Sequence, residues 1–341
     1  ELPFNESVPA ILEMYLSGQA GGAAVVEMLY GEIAPGGKLA ESFPVKASDL
    51  PADRFFPGLK RQVEYREGPY VGYRFFETAN VKALYPFGHG LSYSEFEMNE
   101  TTCDKTVLNE GERLTIRSTI KNIGSRPGKE TLQLYVGMKD SRIPRPSKEL
   151  KAFEKTYLKP GESKIIEFII SYETFGYFDT TLGCFAVESG TYTCMVGTSS
   201  EMIHAKVDVK VEGHTPEARA SAYKDPGADF APSQKDFEDR LGHPVPKTTQ
   251  VKPYHYNSTL GELSDTLIGK ILRRKVRKQM RTFAGDNASN QRMMDSMVDS
   301  MPLRALHMMS GGALGKKQAE GLIHLANRKI IKGLKTLMTK N

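Results

Sequence analysis

The sequence predicts a multidomain chain: the end of an α/β region, then an all-β sandwich, then a mainly helical tail. Three observations predict it. Helical and strand-like apolar spacings mix within residues 1–97, period-2 strands separated by turns fill 98–212, and helical spacing returns over 257–341, behind a polar stretch at 213–256. The chain has 341 residues and 39% hydrophobic content, enough for two or three domains with their own cores.

In the first region Val8, Ile11, Leu12, Tyr15 and Leu16 recur at helical spacing, and Gly18 stops them. The glycine-rich turn Gly18-Gln19-Ala20-Gly21-Gly22 leads into a second helix carrying Ala23, Val26, Met28 and Leu29, closed by Gly31. That turn lacks the GxGxxG spacing and the Walker lysine, so phosphate binding is not expected. Lys38 to Pro44 reads as a short strand, Tyr70 to Phe76 as a strand or packed loop, and Leu84 to Tyr93 as a glycine- and aromatic-rich closure.

From Phe96 the period becomes two. Leu114, Ile116, Ser118 and Ile120, then Leu132, Leu134 and Val136, then Ser163 to Ile170, Thr191 to Val196 and Ile203 to Val211 read as strands between turns. About seven short strands in roughly 115 residues has the rhythm of a fibronectin type III or immunoglobulin-like sandwich. The chain has no tryptophan, so Phe153, Phe168 and Tyr192 are expected to fill its core.

The polar linker either wraps a surface or is mobile. In the tail, Thr259 and Glu262 form a capping box ahead of Leu263, Leu267 and Ile271; further helices run from Ser289 through Met301 and from Lys316 through Met338. Met293, Met294, Met297, Met301, Met308 and Met309 read as helix-packing core rather than a partner groove.

The formal charge is +5, and lysine and arginine concentrate beyond Val251, centred on Lys270 to Arg281. That run reads as a solvated helix face without a reading motif, so neither nucleic acid nor a membrane is expected as a partner. Cys103, Cys184 and Cys194 lack zinc or scaffold spacing and read as idle thiols of a reducing, cytoplasmic setting; a bridge between Cys184 and Cys194 is the lesser alternative. The histidines are scattered, and no metal or cofactor is expected. Glu1 in place of a start methionine reads as the edge of a longer chain.

Several stretches resemble glycoside hydrolase family 3, the β-glucosidase-like enzymes. Gly18-Gln19-Ala20-Gly21-Gly22, Leu29-Tyr30-Gly31, Pro35-Gly36-Gly37-Lys38-Leu39 and Ser42-Phe43-Pro44 look like the close of its α/β sandwich domain. Tyr65-Arg66-Glu67-Gly68, Gly72-Tyr73-Arg74-Phe75 and Pro86-Phe87-Gly88-His89-Gly90-Leu91-Ser92-Tyr93 follow in that family's order. Lys121-Asn122-Ile123-Gly124, Pro146-Ser147-Lys148-Glu149-Leu150 and Val196-Gly197-Thr198-Ser199-Ser200 are similar to its fibronectin-like module, and Met301-Pro302-Leu303-Arg304 looks like an extension of some bacterial members. Pro69, where the family usually carries an aliphatic residue, stiffens the turn after Gly68.

The resemblance implies hydrolysis of β-linked glucosides or oligosaccharides by a retaining mechanism. It also implies an aspartate nucleophile on an amino-terminal barrel and an acid/base glutamate ahead of the glycine-rich turn, neither of which is represented here. No residue of this chain is therefore assigned as catalytic, and a barrel-containing segment or separate chain is the implied partner. The alternative is a non-catalytic carbohydrate-binding or protein-interaction module.

Retaining hydrolysis needs two carboxyl groups about 5 Å apart across the scissile bond. Glu64 and Glu67, three apart on one loop, have no defined opposition. A lining role suits this loop better: Tyr65 or Tyr70 stacks on an aglycone and Arg66 clamps Glu67 or a neighbouring carboxylate. The competing structural reading has Tyr65, Arg66 and Glu67 holding a domain interface by a buried ion pair. His89, flanked by glycines, reads as a structural residue whose ring bonds a tight loop, and Ser92 belongs to no nucleophile elbow.

Overall fold

The computed structural model describes residues 1–56, 58, 62–218, 221–246, 251–309 and 315–338, excluding the side chains of His307 and Met309. Parts of the expected linker, 219–220 and 247–250, lie outside the described residues, as does the Met309 side chain of the expected methionine face. The chain forms two compact units, Glu1–Val245 and Pro246–Asn341.

Unit 1 opens with a 3-10 turn at Asn5–Ser7, and residues 8–20 are not helical, contrary to the spacing of Val8, Ile11, Leu12, Tyr15 and Leu16. All five side chains are exposed, Leu16 completely. A short amphipathic stretch needs a surface to bury its stripe against, and none among the described residues covers this one. Helix α1 (Gly21–Leu29) does form and ends where Gly31 takes a positive φ of 73°. Of the segment expected as a strand from Lys38, only Phe43–Pro44 (β1) is one, pairing antiparallel with β2 (Ala83–Tyr85).

Residues 73–78 form helix α2 (Tyr73–Thr78) instead of the expected strand or packed loop. Its aromatic rings are buried on two sides: Tyr73 packs with Phe87, Tyr135 and Met195, and Phe75 with Tyr70, Tyr223 and Phe230. Apolar groups on both sides of a short helix erase the one-stripe period, so the sequence reads as extended.

The sandwich follows: β3 (Phe96–Cys103), β4 (Val107–Leu108), β5 (Arg113–Asn122), β6 (Gly128–Gly137), β7 (Glu149–Leu158), β8 (Ser163–Ser171), a ribbon of β9 (Tyr177–Asp179) and β10 (Cys184–Ala186), β11 (Gly190–Gly197) and β12 (Ile203–Val211). One sheet runs β4-β12-β11-β6-β7 and the other β3-β5-β8, antiparallel except at β12–β4. Leu114, Ile116, Ser118 and Ile120 all turn inward, as do Leu132, Leu134 and Val136, Phe168 and Tyr192. Phe153, by contrast, is 67% exposed on the outer face of edge strand β7; the core place belongs to Phe175, fully buried against Tyr192 with ring centroids 5.0 Å apart. The cysteines are unbridged: Cys194 is buried in the core, where burial pushes its thiol up to about 12, Cys103 is half-buried, and Cys184 is exposed on β10.

The stretch 221–245, expected to be polar linker, folds onto unit 1. Tyr223, Phe230 and Phe237 are buried, and helix α3 (Gln234–Leu241) starts at a Ser233–Asp236 capping box and ends at Gly242 in the left-handed region.

Unit 2 is helical. The Thr259–Glu262 capping box forms and starts α4 (Leu260–Leu263), but the chain breaks at 264–266 and Thr266 caps a new helix, α5 (Leu267–Ala284). The break resets the stripe: Leu267 and Ile271 are exposed, while Ile268, Leu272, Val276 and Met280 pack against buried Leu263, Val298 and Leu303. Helices α6 (Ala288–Ser300) and α7 (Leu303–Met309) follow. Met301 is buried, whereas Met293, Met297 and Met308 are open, so the methionines are only partly core. The expected helix from Lys316 to Met338 is a hairpin of α8 (Lys316–Ala326) and α9 (Ile330–Met338), turned at Arg328 with φ 62°. At Gly321 an added Cβ would lie 2.7 Å from Leu337, so the glycine permits close helix contact.

The basic run on α5 is not simply solvated. Arg273 makes a bidentate pair with Asp299 at 2.6 Å, Arg277 lies 3.1 Å from Asp299, and Arg281 reaches Asp295 at 2.5 Å. Hydrogen bonds from Arg281 and Arg273 hold Asp295 and Asp299 below the usual carboxylate range. Their ionised forms thus stabilise the fold above the unfolded carboxylate pKa of about 3.9, and this is lost as pH falls through the lower folded values. Helix melting followed by circular dichroism should show the midpoint falling below about pH 4; an Asp295→Asn/Asp299→Asn variant that keeps the same acid slope rules out this origin.

Candidate functional site

The loop after residue 62 carries the four residues that the sequence singles out. Two glycines shape it: Gly68 (φ 58°) and Gly72 (φ 56°), the latter immediately before α2. At Gly68 a side chain would also meet Arg240 at 3.1 Å and Tyr223 at 3.3 Å. The Tyr70 amide donates to the Glu67 carbonyl at 3.1 Å, closing the turn that Pro69 stiffens.

Arg66 donates through Nε to Glu64 Oε2 at 2.7 Å and through Nη1 to the Pro232 carbonyl at 3.2 Å. Its guanidinium lies over Phe55 at 4.6 Å and Phe237 at 5.7 Å. The clamped carboxylate is therefore Glu64 rather than Glu67. Glu67 is itself buried, and its Oε2 makes no hydrogen bond among the described residues. Tyr70 is fully buried, edge-on to Phe230 at 5.5 Å, and its hydroxyl donates to the Tyr223 carbonyl. Burial pushes its phenol up to about 12. Tyr65 is 72% exposed, the one of the two tyrosines with an open ring face. Glu64 is tied to Arg66 and Glu67 is buried, so the loop does not offer two carboxylates facing one another across an open cleft.

The residues that complete the loop come from the supposed linker: Tyr223, Phe230, Pro232, Phe237 and Arg240, whose guanidinium sits 4.9 Å from the Tyr223 ring. A usable signal was present, since Tyr223, Phe230 and Phe237 recur every seven residues in an otherwise polar stretch.

The His89 loop is a joint between the first region and the sandwich. Lys38 Nζ donates to the Gly90 carbonyl at 2.8 Å and pairs with Glu130 at 2.8 Å, while Gln133 Nε2 donates to the Thr198 carbonyl at 2.6 Å and the Gly88 carbonyl at 3.4 Å. His89 is held by its backbone and by stacking on Tyr85 at 5.2 Å, and among the described residues its ring makes none of the hydrogen bonds expected to hold a tight loop. Burial, with Lys38 beside it, pushes the imidazole below its usual range.

Comparison with known proteins follows this geometry. Residues 1–93 match the glycosyl hydrolase family 3 C-terminal domain and residues 130–200 the fibronectin type III-like domain. The chain is 37% identical over 327 residues to thermostable β-glucosidase B of Acetivibrio thermocellus, covering 96% of this chain and 39% of that protein. A Bifidobacterium adolescentis family 3 β-glucosidase superposes with a TM-score of 0.56 at 32% identity, over 76% of this chain and 33% of that one. DesR, a Streptomyces venezuelae β-glucosidase solved with D-glucose, gives 0.57 at 34% identity, over 62% and 27%. The chain thus spans well under half the length of the relatives it matches. It belongs to glycosyl hydrolase family 3, as that family's C-terminal domain with the fibronectin type III-like domain behind it.

Proposed function

We propose that this chain supplies the C-terminal part of a β-glucosidase-like enzyme that cleaves β-linked glucosides or oligosaccharides with retention. The observation that carries the reading is the pairing of the two matched domains with the 37% identity to a β-glucosidase over 96% of the chain. In this reading residues 1–97 close the α/β sandwich domain, 98–212 form the fibronectin-like module, 213–256 connect, and 257–341 extend the enzyme. The opposed carboxylates come from a barrel-containing segment or chain. Tyr65 presents its ring to the substrate's leaving side, and Arg66, Glu67 and Tyr70 hold the loop that carries it. Three unbridged cysteines favour a cytoplasmic setting.

Fusing the whole part of the Acetivibrio enzyme that precedes the stretch matched by this chain ahead of Glu1 should give turnover of a chromogenic β-glucoside, and Tyr65→Ala should raise KM about tenfold with kcat little changed, the signature of lost uniform binding. Turnover by the 341-residue chain alone, abolished by Glu64→Gln or Glu67→Gln, overturns the assignment. The exposed Phe153 and Tyr157 on one face of β7 favour a second reading, a carbohydrate-binding module. Calorimetry with oligosaccharides separates the two, because tight binding lost in Tyr157→Ala supports the module.

A further inference from the structure

The charge of unit 2 is one-sided. From Pro246 on there are 18 lysines and arginines against 6 aspartates and glutamates. Arg273, Arg277 and Arg281 of the α5 run are engaged by Asp295 and Asp299, and a further attraction for anions lies elsewhere.

It lies around an apolar face. A groove of about 950 Å³ runs between the start of α5 and the α8–α9 turn, lined by Leu267, Ile271, Leu325 and Ile330 with Lys252 and Arg328 beside them. Leu267 is 77% exposed and Ile330 62%. Helix α9 continues the face: Ile331 is 86% exposed, and Leu334 and Met338 are open on the same side, while Gly333 and Leu337 take the α8 side.

Lys252, Lys270, Arg328, Lys329 and Lys332 surround it, all exposed; Asp265 is the one acidic residue lining the groove. Lys270, Arg328, Lys329 and Lys332 form no ion pair among the described residues. A rim of cations opposes pairing with a second, equally charged copy and suits a negatively charged surface. An apolar helix face bordered by lysines is the pattern that lies in the headgroup layer, the apolar side chains entering the acyl boundary and the ammonium groups meeting lipid phosphates.

We propose that the α5–α9 face of unit 2 docks on an anionic phospholipid surface. Arg328 and Lys252 meet headgroup phosphates at the mouth of the groove, and Ile330, Ile331, Leu334 and Met338 enter the boundary. No helix among the described residues is long and apolar enough to cross a membrane, so this contact is peripheral.

The test is cosedimentation of the 341-residue chain with phosphatidylcholine vesicles, with and without about 30% phosphatidylserine. Binding should be at least about tenfold stronger to the anionic vesicles at about 0.1 M salt and should weaken at about 0.5 M. Ile331→Asp, at a solvent-exposed position, should leave the circular dichroism unchanged and reduce binding about tenfold. Equal partition to both vesicle types, or binding indifferent to Ile331→Asp, overturns the proposal. So does a solution dimer that Ile331→Asp dissociates, since that gives the face to a second copy.

Discussion

Replacing Phe175 by alanine should remove about 3–5 kcal/mol of unit 1 stability, whereas Phe153→Ala should cost less than about 0.5 kcal/mol. Phe175 is fully enclosed at the end of a 3-10 turn, Tyr172–Phe175, and meets Tyr192 edge-on, so truncation leaves a cavity between the two sheets. Phe153 has no such enclosure. Urea unfolding followed by tyrosine near-ultraviolet circular dichroism, with hydrogen exchange on β6 and β11 to identify the unit, measures both. Equal losses for the two phenylalanines would mean that the core is drawn wrongly.

The second large effect belongs to Arg145. Its Nη1 donates to the Tyr192 hydroxyl at 2.9 Å, its Nη2 to the Phe175 carbonyl at 2.8 Å, and Glu188 lies 4.0 Å away. Glu188 is 1% exposed and accepts from the Ser141 hydroxyl and the Arg142 amide, both at 2.6 Å. Arg145→Ala leaves that carboxylate buried without its cation and should cost about 3–5 kcal/mol. Arg145→Lys should recover only part, because an ammonium cannot span both acceptors as a planar fork does. A double variant, Arg145→Met with Glu188→Gln, should be more stable than Arg145→Ala, since it removes the stranded charge as well. A double variant as unstable as the single one would show that packing, not the charge, holds the 141–145 loop. Effects at Phe175 and Arg145 will not add, because both side chains meet Tyr192.

How much was legible in the sequence follows from what each pattern depends on. The sandwich strands were legible because one face of each sheet is buried, which forces period two on Leu114–Ile120 and Leu132–Val136. Phe153 follows the same hydrophobicity but sits on the outer face, a difference that only sheet pairing decides. Thr259–Glu262 was legible because capping is local; Leu267 and Ile271 misled because a break at 264–266 rotates the following helix. At the site, Tyr65, Arg66, Glu67 and Tyr70 could be picked out as a set. Their surroundings could not, because the groups that bury Tyr70 and accept from Arg66 lie 153 and 166 positions further along.

That separation bears on the order of assembly. The Tyr70 hydroxyl and the Tyr223 carbonyl bracket the whole sandwich, so joining them in an unfolded chain means closing a loop of some 150 residues, whereas a formed sandwich brings the two ends near at little further entropic cost. The clasp should consequently close late in refolding, after the strands have paired, and pulse-labelling hydrogen exchange should find α3 protected later than β5 and β6.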